Sequence, residues 1–408
     1  MSFISACGAA TSLAIHWRIS MVFISLMLLF AAIDTIFKKQ VTLKTLNGYQ
    51  VATFLSMVLF LVVYAISLSY SDNLSEGHAE VERKMLFLVF GIAFLIFNFS
   101  YITNLRINTI LQLLTVALLI RFAVYLAIVV ANIAKQKTSL FSYTGSLFDP
   151  LHHGYLSMYI LLSVAYLIRI AFSKSDNKAH LPTVIVSILL LATYLFFIQS
   201  RAGILIFILM IASVIGYIIF ARRLYKLGLA LVLGIAVVSI VAVVALPNSF
   251  KRLSTTTNAV VEGDFSDARF TIAKVSLQAI GKSLPFGVGA GDRQDILHSE
   301  YKALDNSPYS VRNYNCHNQF LDTLLATGLP GLAILLIIFG SPTVYAIKNK
   351  DYLLIGFISI TFISALVESI LERQIGIPFF CLFLCIFMAR CPEALSSNSY
   401  NQLITNKT

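Results

Sequence analysis

Long apolar runs separated by short polar stretches repeat along the whole chain. A membrane-crossing helix needs ~20 mostly apolar residues. Such runs fall near 3–16, 19–37, 48–69, 85–104, 108–132, 152–172, 181–199, 203–221, 227–246, 319–346, 352–370 and 374–390. The first is short and interrupted by glycine, so about eleven or twelve spans are expected. The connections differ in charge. Lys38, Lys39 and Lys44, Arg106, Lys174 and Lys178, Arg222, Arg223 and Lys226, and Lys348 and Lys350 all sit in short basic loops. Such loops stay on the cytoplasmic side. Asp72 to Lys84 and the stretch 247–318 then face outward.

The pattern predicts an all-α polytopic membrane protein, a bundle of about 12 transmembrane helices. Residues 1–246 carry the first nine, 247–318 form one long periplasmic loop, 319–390 carry the last three, and 391–408 form a cytoplasmic tail. The long loop holds eight Lys/Arg against seven Asp/Glu and is nearly balanced. Within it, 268–280 reads as an amphipathic helix, with Phe270, Ala273, Leu277 and Ile280 on one face and Gly281 as its stop.

Composition agrees. Hydrophobic residues make up 58% and charged residues 12% of the chain, against about a quarter charged in soluble domains. Lipid must be the solvent. The net charge of +11 would suggest nucleic acid in a soluble protein; here the cations mark loop sidedness, and no nucleic acid partner is expected. Cys7, Cys316, Cys381, Cys385 and Cys391 have neither a disulfide framework nor zinc spacing. The first cation is Arg18, so a cleavable signal peptide is not expected.

Candidate chemistry lies on the outer side. Ser200-Arg201-Ala202-Gly203 separates two apolar runs and holds Arg201 at the outer boundary; an arginine there also simply snorkels at a helix end. Asp267 suits the start of the amphipathic helix, whereas Arg269 opposes its dipole and has either another partner or the place of an ordinary solvated side chain. Cys316-His317-Asn318 opens a span where water meets lipid; imidazole accepts a proton at neutral pH, and a histidine there also simply serves as a polar interfacial residue. Pro285 to Asp292 alternates glycines, including Gly289, without the strand and helix of a dinucleotide site; it reads as a turn whose backbone approaches something closely. Arg121 lies inside a span and should face the bundle interior, with Glu368 or Glu372 as an internal partner. His152 and His153 open a span. Arg121, His153, Asn318 and Gly289 are further candidate ligand-binding residues. No Asp-x-Asp pair or Walker sequence is present, so neither a metal-held sugar nucleotide nor ATP is expected.

Taken in order, Arg201 with its small neighbours, Arg269, the Pro-Phe-Gly-Val-Gly run, and His317-Asn318 leading to Leu321 and Gly328-Leu329-Pro330-Gly331 resemble the O-antigen ligase-like superfamily. The resemblance implies transfer of a glycan from undecaprenyl pyrophosphate to the lipid A-core acceptor at the periplasmic face of the bacterial inner membrane. It further implies inversion, no metal and no cofactor. Arg201 and Arg269 would contact pyrophosphate, and His317 would act at the acceptor hydroxyl. An O-antigen polymerase shares these positions. A transporter or flippase is the alternative of another class; it would use polar residues and broken helices near the midplane, to which Arg121 and Gly328 to Gly331 lend some support.

Overall fold

Apolar runs become helices because, in lipid, only a helix satisfies its own backbone polar groups. The computed structural model describes residues 1–38, 46–99, 101–134, 153–172, 180–198, 200–221, 223, 268–303 and 314–390. Among them the chain forms α1 (Ser2–Leu13), α2 (Trp17–Lys38), α3 (Gly48–Ser67), α4 (Leu74–Ile96), α5 (Asn104–Ala134), α6 (His153–Ala171), α7 (Leu181–Phe197) and α8 (Arg201–Gly216). It continues with α9 (Ala268–Ser283), α10 (Arg293–Lys302), α11 (Gln319–Lys348), α12 (Tyr352–Val367) and α13 (Gly376–Met388). Among the described residues six helices are long and apolar enough to cross a membrane, and α1, α7, α12 and α13 are apolar but shorter. The expected ninth span, 227–246, and the tail 391–408 lie outside the described residues.

Burial sorts the helices. Every residue of α13 is buried, which is why it reads apolar all round. It packs among α2, α4, α11 and α12, with Phe380 against Phe87 and Phe339, and Phe387 against Phe357. The stripe Leu329, Leu336, Ile337, Val344 and Ile347 of α11 is exposed instead, as a lipid-facing side must be. Gly91 lets α3 and α4 approach closely, since a Cβ there would come within 2.7 Å of the Phe54 carbonyl oxygen.

Three expectations are corrected. Asp72 to Lys84 is not an outer loop: α4 starts at Leu74, capped by Asn73, whose side chain accepts from the Glu76 amide at 3.2 Å. The polar first turns of α4 are helical because their charges are paired inside the protein, as described below. The amphipathic helix runs on through Gly281 to Ser283. Its buried face is Ile272, Val275, Ala279 and Ile280, whereas Phe270 and Leu277 are exposed; α9 packs on α10 and α11 by the other side of its apolar arc.

Helix α11 breaks at Gly328, where φ is 67° and ψ −158°. The turn 285–289 fills the break. Leu329 donates to the Pro285 carbonyl at 2.8 Å, Val288 to Leu325 at 2.8 Å and Gly289 to Ala326 at 3.0 Å. Gly287 and Gly289 have positive φ, and a Cβ on Gly289 would come within 2.2 Å of Ser71 Oγ. The same loop is tied to α3 and α4: Ala290 donates to Ser67 Oγ, Gly291 to Ser71 Oγ, and the Asp292 carboxylate accepts from the Asp72 and Asn73 amides. The expected close backbone approach is what the structure has.

Candidate active site

The Ser200-Arg201-Ala202-Gly203 sequence makes a helix start. Ser200 caps α8 by accepting from the Gly203 amide at 3.2 Å, and it donates to Ser157 Oγ on α6 at 3.1 Å. Gly203 permits that approach, because a Cβ would lie 2.6 Å from Ser157 Cβ. The N-terminal ends of α6 and α8 are thereby held together, with His153 opening one and Arg201 the other. A cavity of about 230 Å³ lies between them, lined by His153, Ser200, Arg201, Ser364, Glu368 and Ile370 among others. The C-terminal end of α12 supplies its far wall.

Glu368 connects the cavity to the start of α11. Its Oε2 lies 3.3 Å from His317 Nδ1. An ionised carboxylate only accepts, so Nδ1 donates to it, which in the neutral ring leaves the lone pair on Nε2. His317 sits at φ 45°, a left-handed backbone costing roughly 1–2 kcal/mol for a residue with a Cβ. Its neighbours hold it there. The Asn318 side chain caps α11 by accepting from Phe320 and Leu321, and its amide nitrogen donates to the Leu366 carbonyl at 3.0 Å. Gln319 Oε1 accepts from the Leu371 amide at 2.6 Å.

Beneath this pair is a buried ionic cluster. Arg293, at the start of α10, donates to Glu80 of α4 at 2.8 Å, pairs with Glu372 at 2.5 Å and bonds Asp322 of α11. Lys84 pairs with Glu80 at 2.7 Å and Glu372 at 3.0 Å, its ammonium 4.3 Å from the Tyr64 ring centre. Burial pushes the Glu372 carboxyl up, but the Arg293 and Lys84 charges outweigh it and hold it well below the usual carboxylate range. Removing one member of such a cluster strands a charge in a dry interior.

Arg201 and His153 therefore share one cavity, and His317 joins it through Glu368. Arg269 lies in the first turn of α9, its side chain outside what is described; His152 and Asp267 lie outside the described residues. Arg121 donates to the Tyr194 hydroxyl at 3.2 Å and to the Ala14 and Ile15 carbonyls. The expected partners are otherwise engaged, Glu368 with His317 and Glu372 with Lys84 and Arg293. Asn318 is a helix cap, and Gly289 is pressed against Ser71 in the clamping turn. The sequence offered Glu368 only as a partner for Arg121, and the ionic cluster was missed. Asn73 with Glu76 three residues on, followed by the Glu80–Lys84 pair at helical spacing, was the available signal for the latter.

Residues 186–336 match the family model described as O-antigen ligase. The match covers less than half of the chain and supports the resemblance that the residue pattern carries. It covers Arg201, Arg269, Gly289, His317 and Asn318, and stops short of Glu368. The match does not separate an O-antigen ligase from a polymerase, and it suggests a glycosyl-transferring enzyme. No curated protein matches the chain. The apolar helices and the family fit a multi-pass membrane protein.

Proposed function

We propose that this protein is an O-antigen ligase, which transfers the glycan of undecaprenyl-pyrophosphate-linked O-antigen to lipid A-core at the periplasmic face of the inner membrane. The observation that carries the reading is the cavity joining Arg201 to His317 through Glu368, from three distant parts of the chain. A lipid pyrophosphate is a ready leaving group whose negative charge grows as the glycosidic bond breaks. The Arg201 guanidinium, at the positive end of α8, can take two phosphate oxygens at once. Arg269 is assigned the same role. His317 Nε2 accepts the proton of the acceptor hydroxyl, while Glu368 orients the ring and stabilises the imidazolium. Attack on the anomeric carbon from the face opposite the pyrophosphate is a single displacement and inverts the configuration. No metal enters these steps. The break in α11 is filled by the turn 285–289, which favours catalysis at the outer end over a midplane transport site.

The test uses purified protein in detergent with lipid-linked glycan and lipid A-core. His317→Ala should slow transfer by about 10²–10⁴-fold, the usual contribution of a general base, and Glu368→Gln should slow it in the same direction. Transfer by His317→Ala at the parental rate would overturn the assignment. Elongation of carrier-linked glycan with the acceptor untouched would make the protein a polymerase.

A further inference from the structure

Arg293 lies outside the cavity, yet its contacts converge on the two segments that present His317 and Glu368. Asp322, which it bonds, is in the first turn of α11, five residues beyond His317. Glu372, which it pairs with, is four residues beyond Glu368 in the non-helical stretch after α12. Its third partner, Glu80, anchors both to α4. Arg293 is 6% exposed, so its charge is committed to this cluster. A guanidinium has five donors in a rigid plane and can bridge three carboxylates in fixed directions; an ammonium cannot fix them in that way. The left-handed backbone at His317 needs such external constraint, since a strained residue persists only where its surroundings over-determine it.

We propose that Arg293 is a positioning residue for the His317–Glu368 pair: it locks the start of α11 to the segment after α12 so that the carboxylate stays in register with the imidazole. This inference rests on the reading of His317 as the base. Arg293 touches no substrate and acts through that pair.

The experiment is a double-mutant cycle in glycan transfer by the purified full chain, with thermal unfolding followed in parallel. Arg293→Lys keeps a charge and removes the fork, and Arg293→Met removes both. Each should lower kcat by at least about tenfold with KM for the acceptor changed little. In a His317→Ala background, where there is no base left to position, the same substitutions should cost less than about threefold. Arg390→Met, which breaks the Arg390–Asp351 pair at the other end of α12, should lower the unfolding temperature while leaving kcat near parental. Equal losses from Arg293→Lys with and without His317, or a parental kcat for Arg293→Lys, would overturn the positioning role alone. A parental rate for His317→Ala would instead overturn the base assignment and this inference with it. Should Arg293→Met fail to fold, Arg293→Lys carries the cycle.

Discussion

Replacing Gly328 by alanine places a methyl group where the structure has none to spare. The ideal Cβ would lie 2.1 Å from the Pro285 carbonyl oxygen and 2.4 Å from the Phe286 carbonyl carbon. Both are backbone atoms and cannot swing aside. The conformation itself, φ 67° and ψ −158°, costs a residue with a Cβ about 1–3 kcal/mol. Relieving the clash separates the turn from α11 and breaks three backbone hydrogen bonds, each worth about 1 kcal/mol net. The loss is then roughly 4–6 kcal/mol, large beside the ~1 kcal/mol of an average substitution. Thermal unfolding of the purified protein should show a midpoint lower by about 5 °C or more. Gly340→Ala is the internal control: the same change in the same helix, with nothing within 4 Å of the new Cβ, should be neutral or stabilise by up to about 1 kcal/mol. Equal midpoints for the two variants would refute the account of the clamp.

Lys84→Met should destabilise by about 3–5 kcal/mol, because Glu80 and Glu372 lose a buried counter-charge; chemical denaturation in detergent checks it, and a loss below about 1 kcal/mol would mean that water reaches the cluster. Asn318 has two separable tasks. Asn318→Asp keeps the α11 cap and loses the donor to the Leu366 carbonyl, whereas Asn318→Ala loses both and should be less stable than Asp by about 1 kcal/mol; indistinguishable unfolding midpoints would refute the capping role.

The helices were legible because a bilayer enforces long apolar runs, and their placement held within a few residues for α2, α3, α6 and α11. The start of α4 was not read, because its charges look like loop composition until Arg293, Asp322 and Glu372 are known to face them. The apolar arc of α9 is wide enough to offer two faces, and spacing alone chose one whose Ile280 is buried but whose Phe270 and Leu277 are exposed. Arg201, His153 and His317 were legible as cations and imidazoles at helix starts, where polar residues in such a sequence are few. Glu368 was read only as a possible counter-ion. Its pairing with His317 spans 51 residues and depends on how α11 and α12 are stitched together, which no local pattern encodes.

The all-round burial of α13 bears on assembly. Thirteen residues give a rod of about 20 Å, shorter than the ~30 Å hydrocarbon layer, so the segment is ill-suited to cross alone and be recruited later from lipid. The helices it packs against, α2, α4, α11 and α12, all precede it in the chain. The slot must exist before its occupant emerges, and until then the bundle carries an open apolar seam. A chain shortened before Gly376 would keep that seam permanently and, with it, a surface inviting the wrong neighbour.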